Sequence, residues 1–342
     1  MTERIRISLD AMGGDHGPSV VVPAALRALQ AHEDIELILV GREEALKQEL
    51  ARTGVEAGER LHIRNATEIV AMDEPPALAL KKKKDSSMRV AINLVREGEA
   101  GACVSAGNTG ALMATARFVL KMLPGIDRPA ITTTLPSLKG HVHMLDLGAN
   151  IDSSFEQLYQ FAVMGSVLAT TVDGNPAPKV GLLNVGQEAI KGNDQVKAAG
   201  RLLEDSNLNY IGFVEGDDIY TGDVDVVVCD GFVGNVALKT SEGLAHMISE
   251  YLREEFMRNP VTKLLGLLAL PVLRSLRRRL DTRQYNGASL LGLQGIVIKS
   301  HGGADEVAFA NAIRIARLEI LKNLPAQIDR QIESMLSTRQ AS

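Results

Sequence analysis

Tryptophan is absent from this chain of 342 residues, and aromatic residues of all kinds make up only 4% of it. Its core must therefore be aliphatic. Cysteine is nearly absent as well. The two that occur, Cys103 and Cys229, each lie inside an apolar run. That placement suits small buried hydrophobes in a reducing compartment better than a disulfide. Positive charge is not in excess: the formal net charge is −5, where a nucleic-acid-binding domain is usually strongly basic. No nucleic-acid partner is expected.

Long hydrophobic runs are also missing. The opening residues MTERIRISLD contain no apolar segment of a secretory signal. The longest uncharged apolar run is LLGLLALPVL, 264–273. At about 1.5 Å per helical residue it covers only half of a bilayer core of about 30 Å. A soluble protein is expected. Several chemical signatures are lacking too. There is no phosphate loop of the G-x-x-x-x-G-K-[ST] type, no G-x-G-x-x-G after the first strand and no G-x-S-x-G. The first two absences leave nucleotide binding unsupported, and the third disfavours an acyl-serine hydrolase. No cluster of His and Cys has zinc spacing, so no metal site is expected.

What is present is alternation. Short β-rich runs occur at 5–11, 35–41, 61–66, 102–107, 130–136, 141–148, 179–186, 209–216, 224–231 and 295–302. Several are apolar almost throughout, as strands covered on both faces should be. Helical stripes lie between them. One is Leu112, Met113, Ala116, Val119, Leu120 and Leu123; another is Leu244, Met247, Ile248, Tyr251 and Leu252. The alternation predicts an α/β fold with a largely parallel sheet. With no linker or repeat, 1–342 reads as a single domain of two lobes sharing one sheet.

The runs end alike, in DAMGGDHG, SAGNTG, DLGAN, NVGQE, CDGFVGN and SHGGAD. Ligands of parallel α/β sheets bind outside the carboxyl ends of strands. Glycine lets backbone approach a ligand, and the following helix N-terminus attracts anions. Asp10, Asp15, Asp146, Asn150, Asp230 and His301 are therefore candidate cleft-lining residues. Taken singly, each such loop also fits an ordinary turn or cap.

Some stretches carry more specific chemistry. SAGNTGA, 105–111, offers Ser105, Asn108 and Thr109 as side-chain donors, and Gly107 and Gly110 as open backbone. It is a candidate phosphate site, or Asn108 and Thr109 simply cap the next helix. Lys191, in GLLNVGQEAIKGND, would hold an oxyanion or phosphate, or sit in solvent. Asn235 would donate to a carbonyl, or cap its helix. His16 and His301 are candidate general bases or loop braces. Asp217, Asp218, Asp223 and Asp225 fit a hard metal no better than a solvated loop.

Two surface features stand out. Lys81, Lys82, Lys83 and Lys84 form a basic run that would either be solvated or steer an acidic partner. In VTKLLGLLALPVLRSLRRRLD, Leu273, Leu276 and Leu280 share one helical face and Arg274, Arg277 and Arg278 another. Pro271 is expected to split this run into two short helices. Leucines beside a cationic face read as an interfacial membrane anchor, or as a dimer-interface or core helix.

Taken in order, LDAMGGDHGP, KKKKDSSM, SAGNTGALM, GIDRPA, LDLGAN, GLLNVGQEAIKGN, DGFVGNV and SHGGAD resemble the phosphate acyltransferases of bacterial phospholipid synthesis. The resemblance runs from the first strand to near residue 320, excepting 256–284. It implies transfer of a long fatty acyl chain from acyl carrier protein to inorganic phosphate, without cofactor. The acyl phosphate would pass to a downstream glycerol-3-phosphate acyltransferase. It implies a three-layer αβα fold like that of isocitrate and isopropylmalate dehydrogenases, with two lobes around one cleft. It also implies a homodimer, and a cytoplasmic protein attached peripherally to the inner face of the cell membrane. Lys191 and Asn235 match the family's catalytic positions. On this reading His16 is a candidate proton carrier, and 81–84 would dock acyl carrier protein. The segment 257–284, with Leu264, Leu267, Leu268, Leu273, Arg274, Arg277 and Arg278, would be a protruding anchor. Two other readings stand beside it: a metal-dependent NAD dehydrogenase on the same fold, and a membrane scaffold of lipid synthesis.

Overall fold

In the computed structural model the described residues are 4–280 and 282–341, with the side chains of 277–280, 282 and 335–341 outside the description. The elements run in chain order as β1 (Ile5–Asp10), α1 (Pro18–Ala31), β2 (Ile35–Gly41), α2 (Glu43–Thr53), β3 (Leu61–Asn65), α3 (Pro76–Lys82), α4 (Ser87–Arg96), β4 (Ala102–Ser105), α5 (Thr109–Leu120), β5 (Ala130–Ser137) and β6 (Gly140–Leu145). They continue with α6 (Phe155–Asp173), β7 (Val180–Leu183), α7 (Asp194–Glu204), β8 (Tyr210–Val214), α8 (Asp218–Thr221), β9 (Val226–Val228), α9 (Gly231–Met257), α10 (Pro260–Leu280), β10 (Ala288–Leu291), β11 (Ile296–Lys299), α11 (Glu306–Lys322) and α12 (Leu324–Ala341).

Among the described residues one sheet of 11 strands forms, in the order β3-β2-β1-β4-β11-β10-β5-β6-β9-β7-β8. Strands β3 to β11 in that order pair in parallel, as do β6, β9, β7 and β8. Between these blocks β10 runs antiparallel to both neighbours, and β5 runs antiparallel to β6. The expected α/β architecture holds, with helices over both faces of a mostly parallel sheet. Strand β10 is the one that sequence patterning does not show. Its residues ASLL carry no β-branched or aromatic side chain. Partners on both sides make it a strand.

Alternation across the sheet builds the layers. Ile7, Leu9, Val104 and Ile298 pack with Val21, Ala25, Phe309 and Ile313. Cys103 and Val297 point the other way, toward Met88, Ile92, Leu112 and Ala116. In the second block Leu145, Leu182 and Val226 meet Phe161, Met164 and Ala199. The core is aliphatic as required, with Phe161 and Phe309 the aromatic side chains among its largest members. Both cysteines are free and buried, and burial pushes both thiols up.

Two helices depart from expectation. α10 runs unbroken through Pro271. A proline inside a helix costs about 3 kcal/mol. The flanking leucines favour helix, and α10 packs along α9. The stripe on α9 also differs. Leu244, Met247, Ile248, Tyr251 and Leu252 are exposed rather than laid on the sheet. Beyond its first turns α9 has α10 as its main neighbour. On α10, Leu264, Leu267 and Leu268 are exposed, Leu273 is half-buried and Arg274 is exposed, while the side chains of Arg277 and Arg278 lie outside the described residues. No described helix is long and apolar enough to cross a membrane.

Candidate active site

The ends of β1, β4 and β11 lie side by side. Asp10 pairs in register with Ser105, and Ser105 with Lys299. Ser105 Oγ donates to Asp10 Oδ2 at 2.6 Å, and Ser87 Oγ donates to Oδ1 at 2.5 Å. Asp10 is buried, and burial raises its carboxyl pKa against the lowering effect of those hydroxyls. The Gly107 N–H donates to Ser105 Oγ at 3.0 Å. A Cβ at Gly107 would meet Met88 Cε at 2.7 Å and lie 3.2 Å from Asp10 Oδ2 and Ser105 Oγ, so the loop crosses this group closely.

Lys299 closes the group. Its ammonium donates to the Ala106 carbonyl at 3.2 Å and to the Ser300 carbonyl. Burial lowers its pKa to about 8, while Asp10 and Asp15 oppose that loss. The Asp15 N–H donates to Gly302 O at 2.9 Å and joins the first loop to the last. Asp15, His16 and His301 are exposed around this joint. His301 Nδ1 accepts the Gly303 N–H at 3.1 Å. A neutral His301 therefore carries its proton on Nε2.

The next loop opens α5. Asn108 Oδ1 accepts the Ala111 N–H at 3.0 Å, while Nδ2 donates to Met72 O at 2.8 Å and Glu74 O at 3.0 Å. Its side chain thus caps the helix and ties down loop 71–74. Thr109 is exposed and Gly110 follows it in the first turn. The first N–H groups of a helix lack intrahelical acceptors and favour an anion.

A second group surrounds the start of α9. Asp146 is buried and fully used. It accepts N–H bonds from Ile131 at 2.9 Å, Ala149 at 3.0 Å and Asn150 at 2.7 Å, and the Asn150 amide at 2.8 Å. Burial raises its pKa. Asn150 is buried too, and its Nδ2 also reaches Pro129 O at 2.8 Å. Asp10, Asp146 and Asn150 were expected to line the cleft. All three are buried, with both carboxylates and the Asn150 amide nitrogen hydrogen-bonded to neighbouring loops and side chains. Asp230 Oδ1 caps α9 through the Val233 N–H at 2.8 Å. A Cβ at Gly234 would run into the Asp146 carbonyl, so α9 sits hard against this loop. That seat carries Asn235, which is exposed with its side chain over Gly148.

Lys239, one turn beyond Asn235, lies close enough to Lys299 to oppose its protonation. Lys191 stands apart in an exposed loop. Its N–H donates to Glu188 O at 2.9 Å and its carbonyl accepts from Asn184 Nδ2 at 3.2 Å. Among the described residues no bond joins its ammonium to either group. The basic run ends beside the first group. Lys81, Lys82 and Lys84 are exposed and Lys83 is half-buried, just before buried Ser86 and Ser87. The acidic loop does not converge. Asp218 accepts from Gln187 and Glu215, Asp223 pairs with Lys139, and Asp225 accepts the Lys179 N–H.

Sequence reasoning missed Ser87 and Lys299. A lysine closing the otherwise apolar strand IVIK was a usable signal, since lysine is rarely buried unless paired. Ser87 had no such signal.

Comparison with known proteins follows the same outline. A family model described as fatty acid synthesis protein matches residues 5–327. A phosphate acyltransferase of Alkalilimnicola ehrlichii is 64% identical over 100% of both chains. One of Nitrosococcus oceani is 62% identical over 98% of this chain and 99% of its own. Among solved structures, a phosphotransacetylase from Streptococcus pyogenes superposes with a TM-score of 0.65 at 18% identity, covering 94% of this chain and 95% of its own. A 4-hydroxythreonine-4-phosphate dehydrogenase from Klebsiella pneumoniae gives a TM-score of 0.52 at 16% identity, covering 94% and 99%.

Proposed function

Because the chain belongs to the fatty acid synthesis protein family and is, with its relatives there, a phosphate acyltransferase, we propose that its acyl donor is a long-chain acyl-acyl carrier protein and its product an acyl phosphate for phospholipid synthesis. The observation carrying this reading is the in-register set Asp10, Ser105 and Lys299 beside the first turn of α5. A buried cation next to a helix N-terminus suits an inorganic oxyanion.

In the reaction a phosphate oxygen attacks the thioester carbonyl. A carbon–oxygen bond forms, the carbon–sulfur bond breaks, and the thiolate leaves to take up a proton. Phosphate is already anionic, so the main tasks are bringing the reactants together and stabilising the tetrahedral oxyanion. Ser105, Gly107, Asn108, Thr109 and Gly110 supply the phosphate loop, with Asn108 acting through the cap it provides. Asn235, exposed near the start of α9, donates to the carbonyl. Lys191 brings charge to the phosphate or oxyanion when its loop folds over the bound reactants, and exposed His16 carries the proton. Asp15, Asp230 and His301 shape the rim.

The same reading assigns the surfaces. Lys81 to Lys84 dock the acidic carrier protein. The whole chain acts as one domain, from which 257–284 reaches the inner face of the cell membrane. A second copy of the chain completes a homodimer. The product goes to a glycerol-3-phosphate acyltransferase. Replacing exposed Leu264, Leu267 and Leu268 with Asp should abolish binding to anionic vesicles; unchanged binding would remove the anchor role.

The deciding experiment mixes the purified chain with palmitoyl-acyl carrier protein and phosphate, and traps acyl phosphate with hydroxylamine. Phosphate-dependent hydroxamate is expected without nucleotide or added metal. No hydroxamate, with vesicle binding intact, would favour a scaffold. Turnover of a hydroxy acid with NAD and Mg²⁺ would favour the dehydrogenase.

A further inference from the structure

Asp146 follows the last residue of β6, and a different cluster gathers near the first. We propose that His141, His143 and Asp173 form a binding site for a divalent transition-metal ion, zinc above all. Residues two apart on a strand share a face, so β6 presents both imidazoles together. α6 ends at Asp173 beside them. Asp173 Oδ2 lies 2.7 Å from His143 Nε2, and Oδ1 lies 3.1 Å from His141 Nε2. One donor atom from each residue falls within 4.8 Å of the others. The two rings stand at 82° with centroids 5.2 Å apart, so their nitrogens approach from different directions.

The surroundings fit a cation. His143 Nδ1 is 3.3 Å from Thr134 Oγ1 on the neighbouring strand. A metal-ligating histidine is usually held in this way through its other nitrogen. The His143 N–H donates to the Asp225 carbonyl at 2.9 Å, which holds this part of β6 in place. His143 is buried and His141 is partly exposed, so the site has a fixed wall and an entry.

Two imidazoles and one carboxylate are standard zinc donors, at about 2.0–2.2 Å from the metal, with a fourth position left for water. Zinc takes the neutral imidazole, so a proton held on Nε2 would move to the ring's other nitrogen, or leave for solvent from a cationic ring, as the ion binds. The ion then ties the start of β6 to the end of α6. This chemistry escaped the sequence because two ligands lie on a strand and the third 30 positions later.

The test uses the full chain, stripped with a chelator and titrated with zinc alone against a chromophoric competitor. One equivalent should bind. His141→Ala, at an exposed position, should weaken binding by at least about a hundredfold, and Thr134→Val, which removes no ligand, by about ten- to a hundredfold. Cobalt in place of zinc should give the visible absorption of a tetrahedral site, lost in His141→Ala. Less than one equivalent bound, or equal affinity in the wild type and His141→Ala, would overturn the proposal and leave the trio a hydrogen-bonded bridge.

Discussion

Ser87 Oγ donates to Asp10 Oδ1 at 2.5 Å across 77 positions of sequence. The bond joins the residue just after the lysine run to the end of β1. The Asp10 carboxyl is buried and holds Ser105 through its other oxygen. Ser87→Ala removes one of two hydroxyl bonds to a buried carboxyl. It should lower unfolding free energy by about 1–3 kcal/mol. Urea unfolding of the two chains measures this, and equal midpoints would show that the bond adds nothing.

Lys191 and Asn235 are assigned to the charged transition state, so their removal should appear in kcat. Lys191→Ala and Asn235→Ala should each lower kcat by about a hundredfold or more. Circular dichroism should stay unchanged, because both side chains are exposed. Initial rates with saturating phosphate check this. A rate within a few fold of wild type sinks the assignment of that residue.

Charge reversal of Lys81, Lys82 and Lys84, all exposed, addresses the carrier-protein partner. Steered encounter weakens as salt screens it. The wild-type kcat/KM should therefore fall with ionic strength. The Glu variant should start lower and respond weakly or in reverse. Identical salt slopes would place docking elsewhere.

Glu319 offers a pH prediction away from the chemistry. It is buried in α11 and accepts the Ser289 hydroxyl. Burial raises its pKa from 4.5 to about 7. The folded chain therefore favours the protonated acid. The resulting stabilisation is present below about pH 4.5 and is lost as pH rises to about 7, on the order of 3 kcal/mol in all. Glu319→Gln keeps a neutral acceptor. Its Tm should match wild type near pH 4.5 and exceed it by several degrees at pH 8. Equal Tm values at pH 8 would mean that Glu319 ionises at little cost.

Much of the site was legible because its motifs are local. SAGNTG sits at a strand-to-helix turn, and Asn108 caps α5 as its type and position indicate. DGFVGN likewise begins a helix with Asp230 as cap. Burial was not legible. Asp10 and Asp146 read as open acids and are buried, since nothing local reveals which donors converge on a carboxylate. The role of Ser87 depends on the meeting of α4 with β1, and that of Lys299 on the register of three strands. The leucines of α9 have a core-facing pattern, but periodicity does not say whether a partner face exists inside the chain.

Sequence alone determined the aliphatic core, the α/β alternation and the glycine-rich strand ends, because side-chain volume, strand period and helix capping act within a few residues. Tertiary structure alone decided that Asp10, Ser105 and Lys299 share one register, that β10 becomes a strand between two antiparallel neighbours, and that His141, His143 and Asp173 face one another. Those relations are made by contacts between distant segments, and they exist only once the sheet has closed its pairings.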